Sequence, residues 1–131
     1  MFTAEQIQAA SAKVTSGAEY PLFVRALKLM GVVTYEHFVA DGSTVYLGAN
    51  QEQVRIMPPQ AVTFTVNATS SATKLLEALK VHQQGMTNYS TFCQQAAEAG
   101  VEKWICNVQQ HTISYVNTEG NNLLQETIPI S

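Results

Sequence analysis

The sequence predicts an α+β fold in which helices pack on antiparallel sheet. Three observations predict it: amphipathic helical segments come in pairs, a strand hairpin follows each pair, and this order occurs twice. The first hairpin is VVTYEHFVADGSTVYLG, where β-branched and aromatic residues surround Asp41-Gly42, a dipeptide typical of two-residue turns. We expect one domain over residues 1–131, built from two similar helix–helix–hairpin units at about 1–66 and 70–131.

The first pair of helices is marked by residues that start and end helices. Thr3-Ala-Glu-Gln6 has the form of a capping box, which predicts a helix from there to about Ser16. Pro21 suits the first turn of a second helix, because its missing N–H has no partner there anyway. Gly31 is placed to end that helix in the left-handed conformation.

Two further strands are expected after the first hairpin. Val54 to Met57 predicts a short third strand, broken by Pro58-Pro59. In the segment from Ala61 to Val66, apolar residues alternate with threonines, which is typical of a half-buried strand.

The second half of the chain repeats the order of the first. A helix is expected from Ser71 to about Gln83, and Gly85 breaks it. Thr87 or Asn88 is expected to cap the next helix, which Gly100 ends. Strands are expected near Val101–Val108, His111–Val116 and Leu123–Ile128.

An offset of 69 residues aligns the two halves without a gap. The matches fall on one helix face, the helix-ending glycine and one face of the hairpin: Tyr20 with Tyr89, Phe23 with Phe92, Gly31 with Gly100, Val32 with Val101, Tyr35 with Trp104, Val39 with Val108, and Tyr46 with Tyr115. Their placement favours an internal duplication. Overall identity at this offset is close to chance, so the alternative remains that any two helix–glycine–hairpin segments look this similar.

The inward faces of both hairpins follow from the two-residue period of a strand. With Asp41-Gly42 as the turn, Val39 pairs with Thr44 and His37 with Tyr46. In the second unit, the same reasoning places Cys106 opposite Tyr115. The predicted inward residues are Tyr35, His37, Val39, Thr44 and Tyr46 in the first hairpin, and Trp104, Cys106, Val108, Ile113 and Tyr115 in the second.

Composition limits the partners and the compartment. Hydrophobic residues make up 46% of the chain and charged residues only 13%. A surface with so few charges repels a second copy weakly, which favours a homodimer. The net charge is −3 and the seven Lys and Arg are scattered, which argues against nucleic acid. The sequence has neither a signal-peptide pattern at its start nor a run of apolar residues long enough to span a membrane. We expect a cytoplasmic protein with no membrane partner and with reduced cysteines.

The cysteines do not form a metal motif in the sequence. Cys93 and Cys106 have twelve residues between them, whereas zinc ligands come in tighter pairs. Cys106 and His111 lie on one hairpin face and could form half a site, but a second pair is missing. P-loop, GxGxxG, GxSxG and HExxH motifs are also missing. We predict neither a metal nor a cofactor.

Buried packing is the favoured interpretation of most reactive side chains. Cys93 lies inside a helix and aligns with Val24, which favours a small buried hydrophobe. His82, near a helix C-terminus, suits capping or partial packing. We predict no catalytic residue. The candidates for ligand binding are the polar and aromatic residues of the two inward faces: Tyr35, His37, Tyr46, Trp104, Cys106 and Tyr115.

The stretch HQQGMTNYSTFCQQAAEAGVEKW, together with the closing ETIP, resembles the YdfO/YbcV-like proteins, a family of unknown function from enterobacterial prophages and other bacteria. The densest similarity runs from about Leu79 to Pro129. Some members carry the label "phage envelope protein". The resemblance implies a compact α+β domain in the bacterial cytoplasm and carries no catalytic residue across. The family often has acidic residues where this chain has Asn88 and Asn107, so a carboxylate role is not expected there.

The sequence favours a non-enzymatic accessory protein, of prophage or other mobile-element origin, that binds a protein partner or a small ligand. The first alternative is a small enzyme that uses His37, Cys106 and tyrosines in a cleft between the units. The second is a virion-associated component, which the family label alone suggests.

Overall fold

The computed structural model of the chain describes residues 2–13, 19–58, 63–86 and 89–128. These residues form four α-helices, a short 3₁₀ turn and six strands. In chain order, the elements are α1 (Ala4–Ala12), α2 (Tyr20–Met30), β1 (Val32–Phe38), β2 (Thr44–Gly48), the 3₁₀ turn (Ala49–Gln51), β3 (Gln53–Ile56), α3 (Ala72–Gln83), α4 (Tyr89–Glu98), β4 (Val101–Asn107), β5 (Thr112–Asn117) and β6 (Asn122–Thr127). The predicted α+β class is therefore confirmed.

The capping residues act as predicted at both ends of the first helix pair. The Thr3 hydroxyl accepts from the Gln6 N–H and the Gln6 side-chain oxygen accepts from the Thr3 N–H, which completes the capping box. Helix α1 ends at Ala12, before the predicted Ser16, which lies outside the described residues. Gly31 ends α2 with φ of +98°, a left-handed conformation that costs glycine little.

All six strands belong to one antiparallel sheet in the order β3-β2-β1-β4-β5-β6. The first strand of each half lies at the centre, where β1 pairs with β4. The second and third strands of each half follow outward on either side, so that β3 and β6 form the edges. The central pair therefore joins the two halves into one continuous sheet.

The predicted register of the first hairpin is wrong by two residues. His37 pairs with Thr44 and Tyr35 with Tyr46. The turn is longer than Asp41-Gly42 because the Asp41 carboxylate accepts from both the N–H and the hydroxyl of Ser43, which extends the loop. A shift of two residues keeps every side chain on its predicted face.

The predicted register of the second hairpin is also wrong by two residues. Cys106 lies opposite Ile113 rather than Tyr115, and Tyr115 lies opposite Trp104. On the other side of β4, Cys106 pairs with Tyr35 and Trp104 with His37. The predicted face of each residue is unchanged, since the error is again an even number of residues.

The predicted strand from Ala61 to Val66 is not formed where the structure describes this segment. Residues 61 and 62 lie outside the described residues, and 63–66 are irregular. The Phe64 N–H donates to the Ala40 carbonyl, a single backbone contact rather than a ladder. Phe64 and Val66 are still partly buried and pack on the core, so the alternation predicted burial correctly but not a strand.

The second helix pair begins and ends close to its predicted positions. The Ser71 hydroxyl caps α3 by accepting from the Lys74 N–H. Thr87 and Asn88, predicted to cap α4, lie outside the described residues. Gly100 follows α4 with φ of +87°, and a Cβ built on it would lie 2.6 Å from Cα of Ser70. Glycine is required there for close packing as well as for its backbone angles.

All ten residues predicted to face inward are buried: Tyr35, His37, Val39, Thr44, Tyr46, Trp104, Cys106, Val108, Ile113 and Tyr115. Helix residues such as Leu27, Leu79 and Phe92 join the apolar members of this set in one core cluster. The opposite face carries a partly buried ion pair, with Lys103 Nζ 2.8 Å from Glu36 Oε1. Helices therefore cover the aromatic face of the sheet.

The order helix–helix–strand–strand–strand occurs in both halves, with one more strand per unit than the helix–helix–hairpin pattern requires. Each half has a strand irregularity at the same place, between Val32 and Thr34 and between Val101 and Lys103. The duplication itself stays a prediction, and superposition of residues 1–62 on 70–131 is its test.

Candidate functional site

The six residues predicted to bind a ligand lie together on the inward face of the four central strands. Tyr35 pairs with Tyr46 across β1 and β2, and Trp104 pairs with Tyr115 across β4 and β5. At the junction of the halves, Tyr35 lies beside Cys106 and His37 beside Trp104. The sheet thus brings all six into one cluster, and each is buried in the core.

His37 is held on three sides inside this cluster. Its Nδ1 lies 2.8 Å from the Thr44 hydroxyl, and its ring stacks on Trp104 with centroids 4.4 Å apart. Its Nε2 lies 4.0 Å from Sγ of Cys93 on α4. Burial lowers the pKa of His37 to about 4, against a weaker opposing effect of Asp41. The imidazole is therefore neutral at pH 7.

Cys106 lies beside the hydroxyl groups of two tyrosines. Tyr20 and Tyr35 share a short hydrogen bond between their hydroxyl groups, and both contact the Cys106 thiol. Burial raises the pKa of Cys106 to about 11, although these contacts act in the opposite direction. A thiol with so high a pKa is protonated at pH 7 and is a poor nucleophile.

The remaining tyrosines of the cluster are also held in their neutral form. Burial raises the pKa of Tyr46 to about 12. Burial, together with the charge of Glu126, raises the pKa of Tyr115 well above its usual value. The Tyr115 hydroxyl donates to Oε1 of Glu126 at 3.1 Å, and the Gln83 amide donates to the same carboxylate. These hydrogen bonds connect the sheet to α3.

Sequence reasoning missed three side chains that complete this cluster. The thiol next to His37 is that of Cys93 rather than that of Cys106, and Cys93 follows His37 by 56 positions in the chain. Tyr20 and Glu126 also contact candidate residues. Tyr20 matches Tyr89 at the 69-residue offset, which singled it out in the sequence, but contacts between a helix and a sheet are not visible in sequence spacing.

The described residues contain no group of three or more His, Cys, Asp or Glu side chains that could hold a metal ion. Cys106 and His111, considered above as half a site, have different environments. Cys106 is fully buried, whereas His111 lies in the turn after β4 with its Nε2 3.2 Å from Nζ of Lys28. Among these same residues, none of the helices combines the length and apolar character that a membrane span needs.

A groove of about 420 Å³ lies between α1 and α2. Its lining is mainly apolar, and among the described residues Lys13 is its one charged member. The described lining residues are Gln6, Ala9, Ala10, Lys13, Leu22, Phe23, Ala26 and Met30. A second groove, of about 390 Å³, lies between α4 and the segment 63–65. None of the six predicted ligand-binding residues lines either groove.

The first groove adjoins the most exposed apolar side chains of α2. Leu22 is 62% exposed and Leu29 is 81% exposed. The positions 69 residues later on α4 carry Thr91 and Glu98, which are polar. Because the second helix pair folds with polar residues there, the fold does not itself require the two leucines.

Comparison with known proteins gives a family but no described function. Among curated proteins, none matches the chain. A family model described as "Protein of unknown function (DUF1398)" matches residues 8–127, which include every strand and nearly all of the four helices. The chain therefore belongs to the DUF1398 family.

Proposed function

We propose that this protein acts by binding a partner or small ligand, without catalysis, and that the face formed by α1 and α2 is its binding surface. The observation that carries the proposal is the contrast between this face and the central cluster. The central cluster holds the reactive groups but is buried, whereas the α1–α2 face is open and apolar.

The state of the buried groups supports a role other than catalysis. A general base works best with a pKa near the operating pH, and a cysteine nucleophile works as its thiolate. The pKa of His37 is lowered to about 4 and that of Cys106 is raised to about 11. Both groups are therefore neutral at pH 7, and neither is accessible to a substrate.

The exposed leucines support binding at α1 and α2. Covering large, exposed apolar side chains with a partner favours binding, by about 25 cal/mol for each Å² buried. Leu22 lines the groove, and Leu29 lies seven residues later on the same face of α2. Exposed apolar side chains next to an apolar groove are a feature of interaction sites.

A small enzyme is the alternative function, and one contact favours it. The Cys93 thiol and the His37 imidazole are 4.0 Å apart, an arrangement that nucleophilic cysteines use. For this pair to react, or for Tyr35, Tyr46, Trp104, Cys106 and Tyr115 to bind a ligand, the helices would have to move from the sheet. The alternative therefore needs an opened state.

We also propose that the protein is one of the YdfO/YbcV-like proteins. The motif from His82 to Trp104 supports a YdfO/YbcV-like, prophage-derived protein of the bacterial cytoplasm that folds as a single domain. Phage genes on both sides of its gene would support this origin, and a virion-associated role would follow only from its presence in purified particles. The expected homodimer is tested separately, by light scattering at high protein concentration.

Two measurements on the folded protein test the proposed function. Thiol titration should show Cys93 and Cys106 reacting far more slowly in the native state than in denaturant. A thermal-shift screen of metabolites and peptides should find a compound that raises the melting temperature, because a ligand of the native state stabilises it. Amide NMR should then place that compound on α1 and α2. Fast native thiol reaction, or NMR shifts confined to the central cluster, would overturn the proposal.

A further inference from the structure

The face of the sheet that points away from the helices is also apolar over much of its area. Each of the four helices contributes buried residues to the core cluster on the inward face, so all four lie on one side of the sheet. Within the described ranges the helices and the sheet therefore form two layers, and the outward face is the open side. Such an open face of an antiparallel sheet is usually polar. Here the four central strands point large apolar side chains outward: Phe38, Val45, Leu47, Ile105 and Val116.

These outward side chains form a second apolar group, apart from the core. Val45, Glu36 and Ile105 lie in one row across β2, β1 and β4, and Phe38 lies beside Lys103 in the next row. Phe38, Val45 and Ile105 are partly buried, yet they are not members of the core cluster of the described residues. A partner that covered this face would remove further apolar surface from water, which favours association.

Two opposite charges lie at the centre of the outward face and bind each other. Glu36 on β1 and Lys103 on β4 form the ion pair described above, and their side chains are 26% and 28% exposed. Nζ of Lys103 also lies 5.6 Å from the centroid of the Phe38 ring. At the edge of the face, the Arg55 guanidinium lies 3.8 Å from the Asp41 carboxylate. Each positive charge among the paired outward residues therefore has a carboxylate beside it.

This arrangement of charge fits a second copy of the same chain. A nucleic acid or a strongly acidic protein would require an excess of positive charge, which the paired outward residues do not provide. Across a two-fold axis, residue i of one copy contacts residue j of the other, and j contacts i. Because Glu36 and Lys103 are neighbours on the two central strands, an axis near them brings Glu36 of each copy toward Lys103 of the other. The pattern is therefore complementary to itself.

The size of the outward face indicates how strong such a dimer would be. Six strands about 4.8 Å apart make the face about 25 Å wide, and strands of four to seven residues make it roughly 17 Å long. Two copies packed face to face would bury about 1,000 Å² in total, which is typical of a weak, reversible association. Packed sheets lie about 10 Å apart, so the dimer would have four layers, with helices outside and both sheets inside.

From these features we infer that two copies of this protein associate through the outward faces of their sheets, with the Glu36–Lys103 pairs of both copies side by side at the two-fold axis. This inference goes beyond the proposed function, because it assigns the expected homodimer to the side of the sheet opposite α1 and α2. The α1–α2 face is the other apolar surface that a second copy could occupy, and the experiment distinguishes the two.

Paired charge reversals test which surfaces meet. Glu36→Lys leaves two positive charges at the centre of the face and Lys103→Glu leaves two negative charges, so each variant repels its own copies. Each should dimerise at least about tenfold more weakly than the wild type in sedimentation velocity, at protein concentrations up to about 1 mM. An equimolar mixture of the two variants should form heterodimers with an affinity near that of the wild type, because faces of opposite charge then meet.

Matched reversals on a helix control for the change in net charge. Glu77→Lys and Lys80→Glu reverse the same charges at exposed positions of α3 and should dimerise as the wild type does. Circular dichroism confirms that each variant is folded. Methyl NMR of the wild type needs no variant: a rise in protein concentration should shift the methyl resonances of Val45, Leu47 and Ile105.

Several results would overturn the inference. These are a wild-type protein that stays monomeric at about 1 mM, a dimer that neither Glu36→Lys nor Lys103→Glu weakens, or a mixture of these two variants that stays monomeric. If the concentration-dependent shifts are confined to α1 and α2, a second copy occupies the groove there, the inference fails and the proposed binding surface stands. If the sheets associate as inferred but no compound or peptide binds at α1 and α2, the inference holds and the proposed function fails.

Discussion

Sγ of Cys93 on α4 lies 4.0 Å from Nε2 of His37 on β1, while the opposite nitrogen of that ring lies 2.8 Å from the Thr44 hydroxyl. One imidazole thus links a helix to two neighbouring strands. A buried histidine with partners at both nitrogens can fix the position of a helix on a sheet as well as serve chemistry. We therefore expect His37 and its neighbours to stabilise the fold.

The buried His37 should make stability depend on pH. Because the pKa of His37 is lowered from 6.5 to about 4 in the folded state, the unfolded chain binds a proton first as pH falls. Its contribution to stability is therefore complete above pH 6.5 and is lost as pH falls toward 4. Between pH 6.5 and pH 5 the loss should be about 2 kcal/mol, measured by urea unfolding.

His37→Gln removes this titration. The His37 variant should be less stable at pH 7 but should change little between pH 6.5 and pH 5. A His37 variant that loses as much stability as the wild type would contradict the assignment.

The two helix-ending glycines should differ in their tolerance of a methyl group. Gly31 and Gly100 both have positive φ, so alanine at either should cost about 1–2 kcal/mol in backbone strain. A Cβ at Gly31 meets nothing within 4 Å, whereas one at Gly100 meets the Ser70 backbone at 2.6 Å. Gly100→Ala should therefore cost about 2 kcal/mol more than Gly31→Ala in urea unfolding. Equal losses would mean that the contact with Ser70 is easily relieved.

The hydroxyl groups of Tyr20 and Tyr35 should stabilise the fold as a pair. Each single Tyr→Phe change removes the hydrogen bond between the two hydroxyl groups and should cost about 1 kcal/mol. Tyr20→Phe combined with Tyr35→Phe should cost less than the sum, because the first change has already removed this hydrogen bond. Tyr115→Phe, whose hydroxyl binds Glu126, provides an independent site and should add to either change. Strict additivity between Tyr20 and Tyr35 would show that their contact does not persist in solution.

The His82 ring should contribute to the second helix pair through its stack on Phe92. His82→Ala removes this contact and should lower the free energy of unfolding by about 1 kcal/mol. His82→Phe keeps a ring and should recover most of the loss. If alanine and phenylalanine at this position give the same stability, the stack on Phe92 contributes little.

The faces of the strands could be predicted from sequence, but the pairing of residues could not. Alternation assigns each residue to one side of the sheet, for example the side that Tyr35 and Cys106 share. An even error in register leaves that side unchanged. The register depended on the Asp41 contacts with Ser43, which lengthen the turn and which a dipeptide rule does not include. The strand expected over Ala61–Val66 was wrong for a related reason. Alternation of apolar and polar residues indicates that one face is buried, but it does not require a neighbouring strand.

The candidate site was predictable only as a set of inward residues. That His37 and Trp104 lie side by side follows from the pairing of β1 with β4, which connects distant parts of the chain. The contact between Cys93 and His37 depends on how α4 packs on the sheet. The groove lies between α1 and α2, and the packing of these two helices is not visible in sequence spacing.

The central position of β1 and β4 has a consequence for how the chain folds. Each hairpin can form from residues close together in sequence, but the β1–β4 pairing joins Tyr35 to Cys106 and must close a loop of about 70 residues. Contacts that span so much chain slow folding. We therefore expect the two hairpins to form early and their union to be the slow step. A chain severed in the segment before Ser71 should regain its structure only when both fragments are present.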